Sequence, residues 1–372
     1  MPAQPFVFLD HNATTPLRPA VLAAMVEVLG EAGNPSSVHA QGRAARRRVE
    51  VARRQVAHGL GLPSGGEIIF TSGGTEANHL ALRGLKTGGR VLRSAIEHDS
   101  VRAATPDAVG IPVTADGIVD LAALERLLAD GAGLVSVMAA NNETGVLQPI
   151  AEIVRLAHAT GALVHCDAIQ IVGKAPFDMA ALGLDLATVS AHKFGGPQGM
   201  AALALAPKVP VQALTTGGGQ EKGYRAGTEN VAGIVGFGVA IEAAVGDLDG
   251  YGRLAVLRDR LAARLIGLDA DVVAFGAGAP RVANTLSIAM PGVKAETQVM
   301  ALDLAGIGVS AGSACSSGKV RTSHVLTAMG VAPDLAAAAI RISLGRDTTE
   351  AEIDRLVEAW AALRRRTNRS AA

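Results

Sequence analysis

The 372-residue sequence predicts an α/β protein, with a mostly parallel central sheet in a large domain and a smaller α+β C-terminal domain. Short apolar runs alternate with stretches of helical pattern in the middle of the chain, which is typical of β-α-β units. From about residue 251, charged helical patterns dominate, and a second α/β-like section lies between them. We expect the large domain at residues 14–250 and the small domain at residues 1–13 and 251–372.

The predicted strands of the large domain are apolar runs that each precede a polar or helix-patterned stretch. They are EIIF (67–70) before TSGGTEANHLALRGL, GLVSVMAA (133–140) before NNETG, ALVHCDAIQ (162–170) before VGKAPFDMAALG, and LATVS (186–190) before AHKFGG. In sheets of this kind, ligands bind at the carboxyl ends of the strands. We therefore expect the polar residues after these four runs to line one crevice.

Composition and charge favour a cytosolic enzyme over a nucleic-acid-binding or membrane protein. The 34 basic and 34 acidic side chains give a formal net charge of zero, which argues weakly against nucleic acid or an anionic membrane as the main partner. The arginine-rich segment 42–57 repeats apolar residues at helical spacing, so we expect an amphipathic helix with a solvated arginine face. No uninterrupted apolar run of about 18 residues occurs, and the N-terminus lacks the basic region of a signal peptide.

The two cysteines, Cys166 and Cys315, do not form a Cys-x-x-Cys pair. A structural zinc site or a disulfide framework is therefore not expected, and no metal is predicted. Cys166 lies inside a predicted strand, where a lone cysteine is typically a small buried hydrophobe.

The first predicted strand end offers an anion-binding site. Gly73, Gly74 and Thr75 precede a predicted helix, and glycines let backbone N–H groups approach a phosphate at a helix N-terminus. Thr75 could equally be a helix N-cap, with the glycines serving a tight turn. The pattern does not match G-x-G-x-x-G, which argues against a dinucleotide site.

The other strand ends offer a carboxylate and an amine. Asp167 ends a predicted strand, where a buried carboxylate needs a partner; it could hold a proton on a heterocyclic nitrogen, or be a helix N-cap or an internal ion pair. Lys193 follows another strand and precedes a glycine turn, where partial desolvation would make it a nucleophile toward aldehydes. An exposed loop lysine is the alternative. Together, a phosphate site, a ring-nitrogen partner and a Schiff-base lysine predict a pyridoxal phosphate site.

Several motifs, in order along the chain, then resemble a known family. They are LDHNATTP, GNPSSVHAQG, IIFTSGGTEAN, ANNETG, HCDAIQ, SAHKFGGPQG, GTENV and SAGSACSSG. From about residue 7 to about residue 355, the chain resembles the NifS/IscS-type cysteine desulfurases of the class V aminotransferase family. The resemblance implies a homodimeric fold-type I pyridoxal 5'-phosphate-dependent transferase.

Position by position, the resemblance implies the cofactor contacts. Lys193 would be the Schiff-base lysine and Asp167 the partner of the pyridinium nitrogen. The other implied contacts are Gln170 and Asn142 at the ring hydroxyl, Gly74, Thr75, Ser190 and His192 at the phosphate, and Thr228 at the phosphate of the partner subunit.

Four further residues are implied to serve the substrate and the sulfur. His98 would stack on the cofactor ring and transfer protons. Arg341 would pair with the α-carboxylate of L-cysteine, a task that suits a planar bidentate donor, and Asn34 would assist it. Cys315, among small and polar neighbours, would attack the substrate sulfur and carry it as a persulfide.

The implied activity converts L-cysteine to L-alanine and delivers sulfur to an acceptor protein for iron–sulfur cluster or thio-cofactor synthesis. The alternatives are another class V enzyme, above all one that prefers selenocysteine, and a non-catalytic sulfur carrier or scaffold that keeps the fold. After the cysteine loop the chain reads KVRTSHVL, where the family often has an acidic residue and a proline. This departure leaves the identity of the sulfur acceptor open.

Overall fold

The computed structural model describes residues 5–312 and 322–371, except the side chains of 368–371. Its strands are β1 (Val7–Phe8), β2 (Glu67–Thr71), β3 (Val91–Ser94), β4 (Val109–Ile111), β5 (Leu134–Ser136), β6 (Leu163–Asp167), β7 (Leu186–Ser190), β8 (Ala201–Leu205), β9 (Val273–Phe275), β10 (Thr285–Ala289), β11 (Ile307–Gly308), β12 (Ser310–Ala311) and β13 (Ala339–Ser343).

The helices surround these strands on both sides. They are α1 (Pro19–Leu29), α2 (Ala40–Gly59), α3 (Gly74–Gly84), α4 (Asp99–Ala104), α5 (Leu121–Ala129), α6 (Ile150–Ala159), α7 (Met179–Leu182), α8 (Val231–Val245), α9 (Leu248–Gly252), α10 (Leu254–Ile266), α11 (Ala295–Leu304), α12 (His324–Ala328), α13 (Pro333–Ala337) and α14 (Glu350–Ala371).

The central sheet has seven strands in the order β2-β8-β7-β6-β5-β3-β4. Strand β8 runs antiparallel to both of its neighbours, and the remaining pairs are parallel, so the predicted mostly parallel sheet is confirmed. Because β2 and β7 are both antiparallel to β8, β2 points the same way as β7. The carboxyl ends of β2, β5, β6 and β7 therefore lie at one edge of the sheet.

A second, four-stranded antiparallel sheet has the order β12-β13-β10-β9, and β1 pairs with β11 beside it. Its apolar face packs with Val7, Leu9 and residues from Tyr251 onward, Trp360 among them, into a core of its own. The N-terminal strand therefore packs with the C-terminal part of the chain. The bounds 14–250 and 251–372 stay a prediction.

The largest core cluster lies between the central sheet and the helices α2 and α8. Phe237 of α8 packs edge-on against Phe70 of β2, with ring centroids 6.0 Å apart. Cys166 is fully buried in this cluster, as predicted for a small hydrophobe, and burial raises the pKa of its thiol well above the ordinary value.

The arginine-rich helix has the predicted apolar face, with Ala45, Val49, Ala52 and Val56 buried. Arg53 is an exception among the arginines of this helix, because it does not lie on the solvated face. Its guanidinium is buried and pairs with Glu221 at 2.7 Å.

The helical pattern expected for VGKAPFDMAALG is formed only at its end, in α7. Residues 171–175 form turns, and Pro176 lacks the N–H that a helix interior needs. Gly173 adopts a φ of 74°, a left-handed conformation that glycine tolerates best. This turn places Lys174 inside the protein rather than on a helix surface.

Within the described ranges, no single helix is both long and apolar enough to cross a membrane. Two consecutive helical segments, Val231–Val245 and Leu248–Ile266, are together long and apolar enough to cross a membrane, by length and composition only. They are bent by 68° relative to each other.

Candidate active site

A cleft of about 850 Å³ lies where the carboxyl edge of the central sheet meets the N-terminal segment and the second sheet. It is lined by Asp10, Asn12, Ala13, Gly74, Thr75, His79, His98, Asp99, Ser100, Ala103, Met138, Asn142, Asp167, Ile169, Gln170, Ser190, His192, Lys193, Ser310 and Arg341. The residues after the four predicted strands thus meet in one crevice, as expected from the strand directions.

The N-terminus of α3 faces this cleft without a side-chain cap. The helix begins at Gly74, and the preceding Gly73 makes no capping hydrogen bond. The first N–H groups of a helix have no intrahelical acceptor, so an uncapped N-terminus attracts an anion. A Cβ on Gly74 would lie 2.5 Å from Ile169 Cδ1, so a larger residue here would require the Ile169 side chain to move. Thr75 is exposed in the cleft and is not an N-cap.

Asp167 is buried at the end of β6 and presents its carboxylate to the cleft. Asn78 Nδ2 donates to Oδ2 at 2.9 Å, and the backbone N–H of Ile169 donates to Oδ1 at 3.0 Å. Asp167 is therefore neither a helix N-cap nor a member of an ion pair in the described part of the chain.

Lys193 lies in the turn after β7, half-buried at the floor of the cleft. Its Nζ donates to the backbone carbonyl oxygens of Asn12 and Ala13, both at 2.8 Å. Burial lowers the pKa of this ammonium to about 8; the charge of Arg341 acts in the same direction, and the charges of Asp10 and Asp167 oppose it. A lysine with this pKa is neutral far more often near pH 7 than an exposed one.

Two histidines of the cleft have defined hydrogen-bonding states. His98 caps α4, and its Nδ1 accepts from the backbone N–H of Ser100 at 3.1 Å. For His192, burial and then the charges of Lys193 and Lys174 lower the pKa to about 4. Near pH 7 His192 is a neutral ring, which can donate one N–H to an anion.

Arg341 lies on β13 and enters the cleft from the second sheet. Its Nη2 pairs with Asp10 Oδ1 at 2.7 Å, and Nη1 donates to the carbonyl oxygen of Asn142 at 3.1 Å. Its Nε is buried without a hydrogen-bond acceptor in the described residues. Ser310 Oγ donates to the other oxygen of Asp10 at 2.7 Å, which fixes that carboxylate.

Asn12 connects the second sheet to the cleft through both its side chain and its backbone. Its Nδ2 donates to Thr285 Oγ1 at 2.8 Å, and its Oδ1 accepts from Lys174 Nζ at 2.8 Å. Its backbone oxygen accepts from Gln170 Nε2 at 3.0 Å and from Lys193 Nζ. Residues far apart in sequence therefore share one hydrogen-bond network beside the amine.

Two predicted site residues, Asn34 and Thr228, do not line this cleft of the single chain, and a third lies outside the described residues. Asn34 is exposed, and its Oδ1 accepts from the backbone N–H of Ser36 at 2.9 Å. Thr228 is also exposed, outside the cleft of its own chain. Cys315 lies outside the described residues. The roles assigned to these three residues stay predictions.

Several residues of the cleft had no predicted role. These are Asp10, Asn12, Ala13, His79, Asp99, Ser100, Ala103, Met138, Ile169 and Ser310, with Lys174 directly behind them. The motif LDHNATTP could have indicated Asp10 and Asn12, because its polar residues directly follow an apolar run, as do the polar residues at the predicted strand ends. Lys174 had no signal, because its stretch was expected to be helical.

The comparisons with known proteins agree with this fold and site. Residues 7–356 match the family described as Aminotransferase class-V, and the chain belongs to this family. A cysteine desulfurase of Cereibacter sphaeroides is 44% identical over 365 residues, covering 95% of this chain and 94% of that protein. An IscS-like cysteine desulfurase of Mycobacterium tuberculosis is 41% identical and covers 98% of each chain. The X-ray structure of a NifS-like protein from Rickettsia africae superposes with a TM-score of 0.90 at 38% identity, covering 96% of this chain and 99% of that one.

Proposed function

We propose that this chain is a pyridoxal 5'-phosphate-dependent cysteine desulfurase, which converts L-cysteine to L-alanine and collects the sulfur as a persulfide on Cys315. One observation carries the proposal: Lys193, Asp167 and the uncapped N-terminus of α3 face the same cleft. The family match and the relatives named cysteine desulfurase support the reaction.

The donor set of the cleft fits the cofactor group by group. The phosphate would bind the α3 N-terminus at Gly74 and Thr75 and the side chains of Ser190 and His192. Because His192 is neutral, it would donate a hydrogen bond there without adding a charge. The cofactor, when bound, supplies an electron sink that makes the α-proton of an amino acid acidic.

The ring of the cofactor would lie over the end of β6. Asp167, held by Asn78 and Ile169, would keep the ring nitrogen protonated. Gln170 and Asn142 would contact the ring hydroxyl, and His98 would stack on the exposed face of the ring.

Lys193 would bind the aldehyde carbon and then move the α-proton of the substrate. Both tasks need the neutral amine, which burial favours by lowering the pKa to about 8. The carbonyl oxygens of Asn12 and Ala13 would hold the free amine at the floor of the cleft.

Arg341 would bind the α-carboxylate of L-cysteine. Its Nε is a buried donor that has no acceptor among the described residues, and Asp10 holds the guanidinium plane in place. A planar guanidinium with a free N–H fits a carboxylate in two-point geometry. Asn34 remains the predicted assistant, contributed from outside this cleft.

Cys315 would accept the sulfur. Its thiolate attacks the substrate Sγ, so an S–S bond forms while the Cβ–S bond breaks and its electron pair stays on the substrate carbon. Protonation of that carbon and return of a proton to Cα would give L-alanine, and the persulfide would pass to an acceptor protein for iron–sulfur cluster or thio-cofactor synthesis.

A homodimer is part of this proposal. Leu22, Val26 and Leu29 of α1 are 54%, 60% and 70% exposed and lie on one helix face, as a surface covered by a second copy would. Thr228 would then reach the phosphate in the partner's cleft. A location in the cytoplasm stays a prediction.

The test measures alanine and sulfide released from L-cysteine under reductant by the wild type, Cys315→Ala and Cys166→Ala. Equimolar products from the wild type and Cys166→Ala, and none from Cys315→Ala, are expected, because Cys166 is a buried core residue. Full activity of Cys315→Ala would refute the role of Cys315. A wild type active only on selenocysteine would move the assignment to a selenocysteine lyase.

A further inference from the structure

Lys174 is a buried lysine that the proposed reaction does not use. It lies four residues after Gln170 in the turn behind the cleft, and only 4% of its surface is exposed. Burying a lysine costs free energy unless its N–H groups find acceptors. Burial lowers the pKa of Lys174 well below the ordinary value, and the charge of Lys193 acts in the same direction.

Both acceptors of Lys174 are side-chain amide oxygens. Its Nζ donates to Gln170 Oε1 at 2.5 Å and to Asn12 Oδ1 at 2.8 Å. An amide has an oxygen acceptor at one end and an NH₂ donor at the other. By donating to both oxygens, the Lys174 amine favours one of the two possible orientations of each amide.

This orientation decides what Gln170 presents to the cleft. With Oε1 held by Lys174, the Nε2 group is the end that donates to the backbone oxygen of Asn12, at 3.0 Å. Gln170 lines the cleft, so the same NH₂ group is the donor available to a ligand there. That backbone oxygen of Asn12 also accepts from Lys193 at 2.8 Å, so the amide of Gln170 and the amine of Lys193 share an acceptor.

We propose that Lys174 is a positioning residue, which holds Gln170 with its NH₂ group toward the ring oxygen of the cofactor and thereby strengthens cofactor binding. This inference rests on the proposed function, since it needs pyridoxal phosphate as the ligand. Lys174 acts through Gln170 and touches neither cofactor nor substrate.

The test compares Lys174→Met in two backgrounds, the wild type and Gln170→Ala. Spectroscopic titration of the apo protein gives the dissociation constant for pyridoxal phosphate without substrate. In the wild-type background, Lys174→Met should weaken binding by about tenfold, or about 1.4 kcal/mol, as expected when a buried acceptor loses its partner. In the Gln170→Ala background, the same substitution should change binding by less than about twofold, because the group it positions is gone.

A second readout is the circular dichroism band of the bound cofactor, which reports the orientation of its ring. Lys174→Met should change this band, and the exposed Lys86→Met, the matched control, should not. If urea unfolding shows that Lys174→Met does not fold, Lys174→Leu replaces it in both backgrounds, since leucine also removes the donor to Gln170.

Equal loss of affinity in both backgrounds, or no loss in either, would overturn the positioning role. A wild-type protein that binds no pyridoxal phosphate would instead overturn the proposed function, so the two failures are distinguishable.

Discussion

Because burial lowers the pKa of Lys193, this lysine should react with pyridoxal phosphate near pH 7 faster than an ordinary lysine does. With a pKa of about 8, about 9% of this amine is neutral at pH 7, whereas about 0.03% would be neutral at the ordinary lysine value. The neutral amine is the nucleophile, and Lys193 holds about 300-fold more of this form at pH 7 than an unperturbed lysine does. Because a less basic amine is also a weaker nucleophile, Lys193 should capture pyridoxal phosphate faster than an unperturbed lysine of equal accessibility, by less than about 300-fold.

The assay is the rate of cofactor capture by the apo protein, followed by absorbance between pH 6 and pH 10. A free lysine derivative under the same conditions corrects for the ionisations of the cofactor itself. The corrected rate should rise with pH and level off above a midpoint near 8. The matched control Lys86→Met, which removes an exposed lysine, should give the same curve.

Two variants should move this midpoint in opposite directions. Arg341→Met removes a charge that lowers the pKa of Lys193 and should raise the midpoint, whereas Asp10→Asn removes a charge that raises this pKa and should lower the midpoint. A wild-type midpoint near the ordinary lysine value, or shifts of the same sign in both variants, would refute the electrostatic reasoning.

The lowered pKa also has a consequence for stability. Between the folded value of about 8 and the higher unfolded value, the unfolded chain binds a proton at Lys193 that the folded chain does not. The contribution of Lys193 to the free energy of unfolding of the apo protein therefore increases as the pH rises through this window.

Two further predictions concern buried carboxylates. Arg53→Met leaves Glu221, which is 5% exposed, without its guanidinium partner, and should lower the free energy of unfolding by about 3–5 kcal/mol in urea titrations; the exposed Arg54→Met is the control. Burial raises the pKa of Glu143 to about 7. The buried carboxylate of Glu143 therefore destabilises the folded chain above about pH 7, and this destabilisation is absent below the ordinary glutamate pKa. Glu143→Gln, which can still accept from Ser323 Oγ, should therefore raise the melting temperature at pH 8 and by much less at pH 5.

Each of these predictions has a clear contrary result. If Arg53→Met and Arg54→Met were equally stable, the buried pair would contribute nothing; if the double variant Arg53→Met/Glu221→Gln did not recover most of the loss, the unpaired carboxylate would not be its cause. If the stabilisation by Glu143→Gln were the same at pH 5 and pH 8, ionisation of Glu143 would not be its source.

The sequence alone was sufficient for the architecture and for the residues at the strand ends. Alternating apolar runs and helical patterns predicted the mostly parallel sheet, and strand direction then brings Asn142, Asp167 and Lys193 to one edge. These inferences succeeded because periodicity is set by neighbouring residues, and because strands joined by a helical crossover run parallel. The resemblance to the family added roles, and those roles await experiment.

The hydrogen bonds and ion pairs that complete this edge of the sheet depend on the tertiary structure. Asn12 reaches Lys174 across 162 residues and Thr285 across 273, and Arg53 meets Glu221 across 168. No local pattern reports such pairs, because a buried polar group is satisfied by whichever partner the packed core brings near it. The arginine periodicity gave no indication that Arg53 would be buried. Buried polar groups need hydrogen-bond partners, and here those partners come from distant parts of the sequence, which local preference does not reveal.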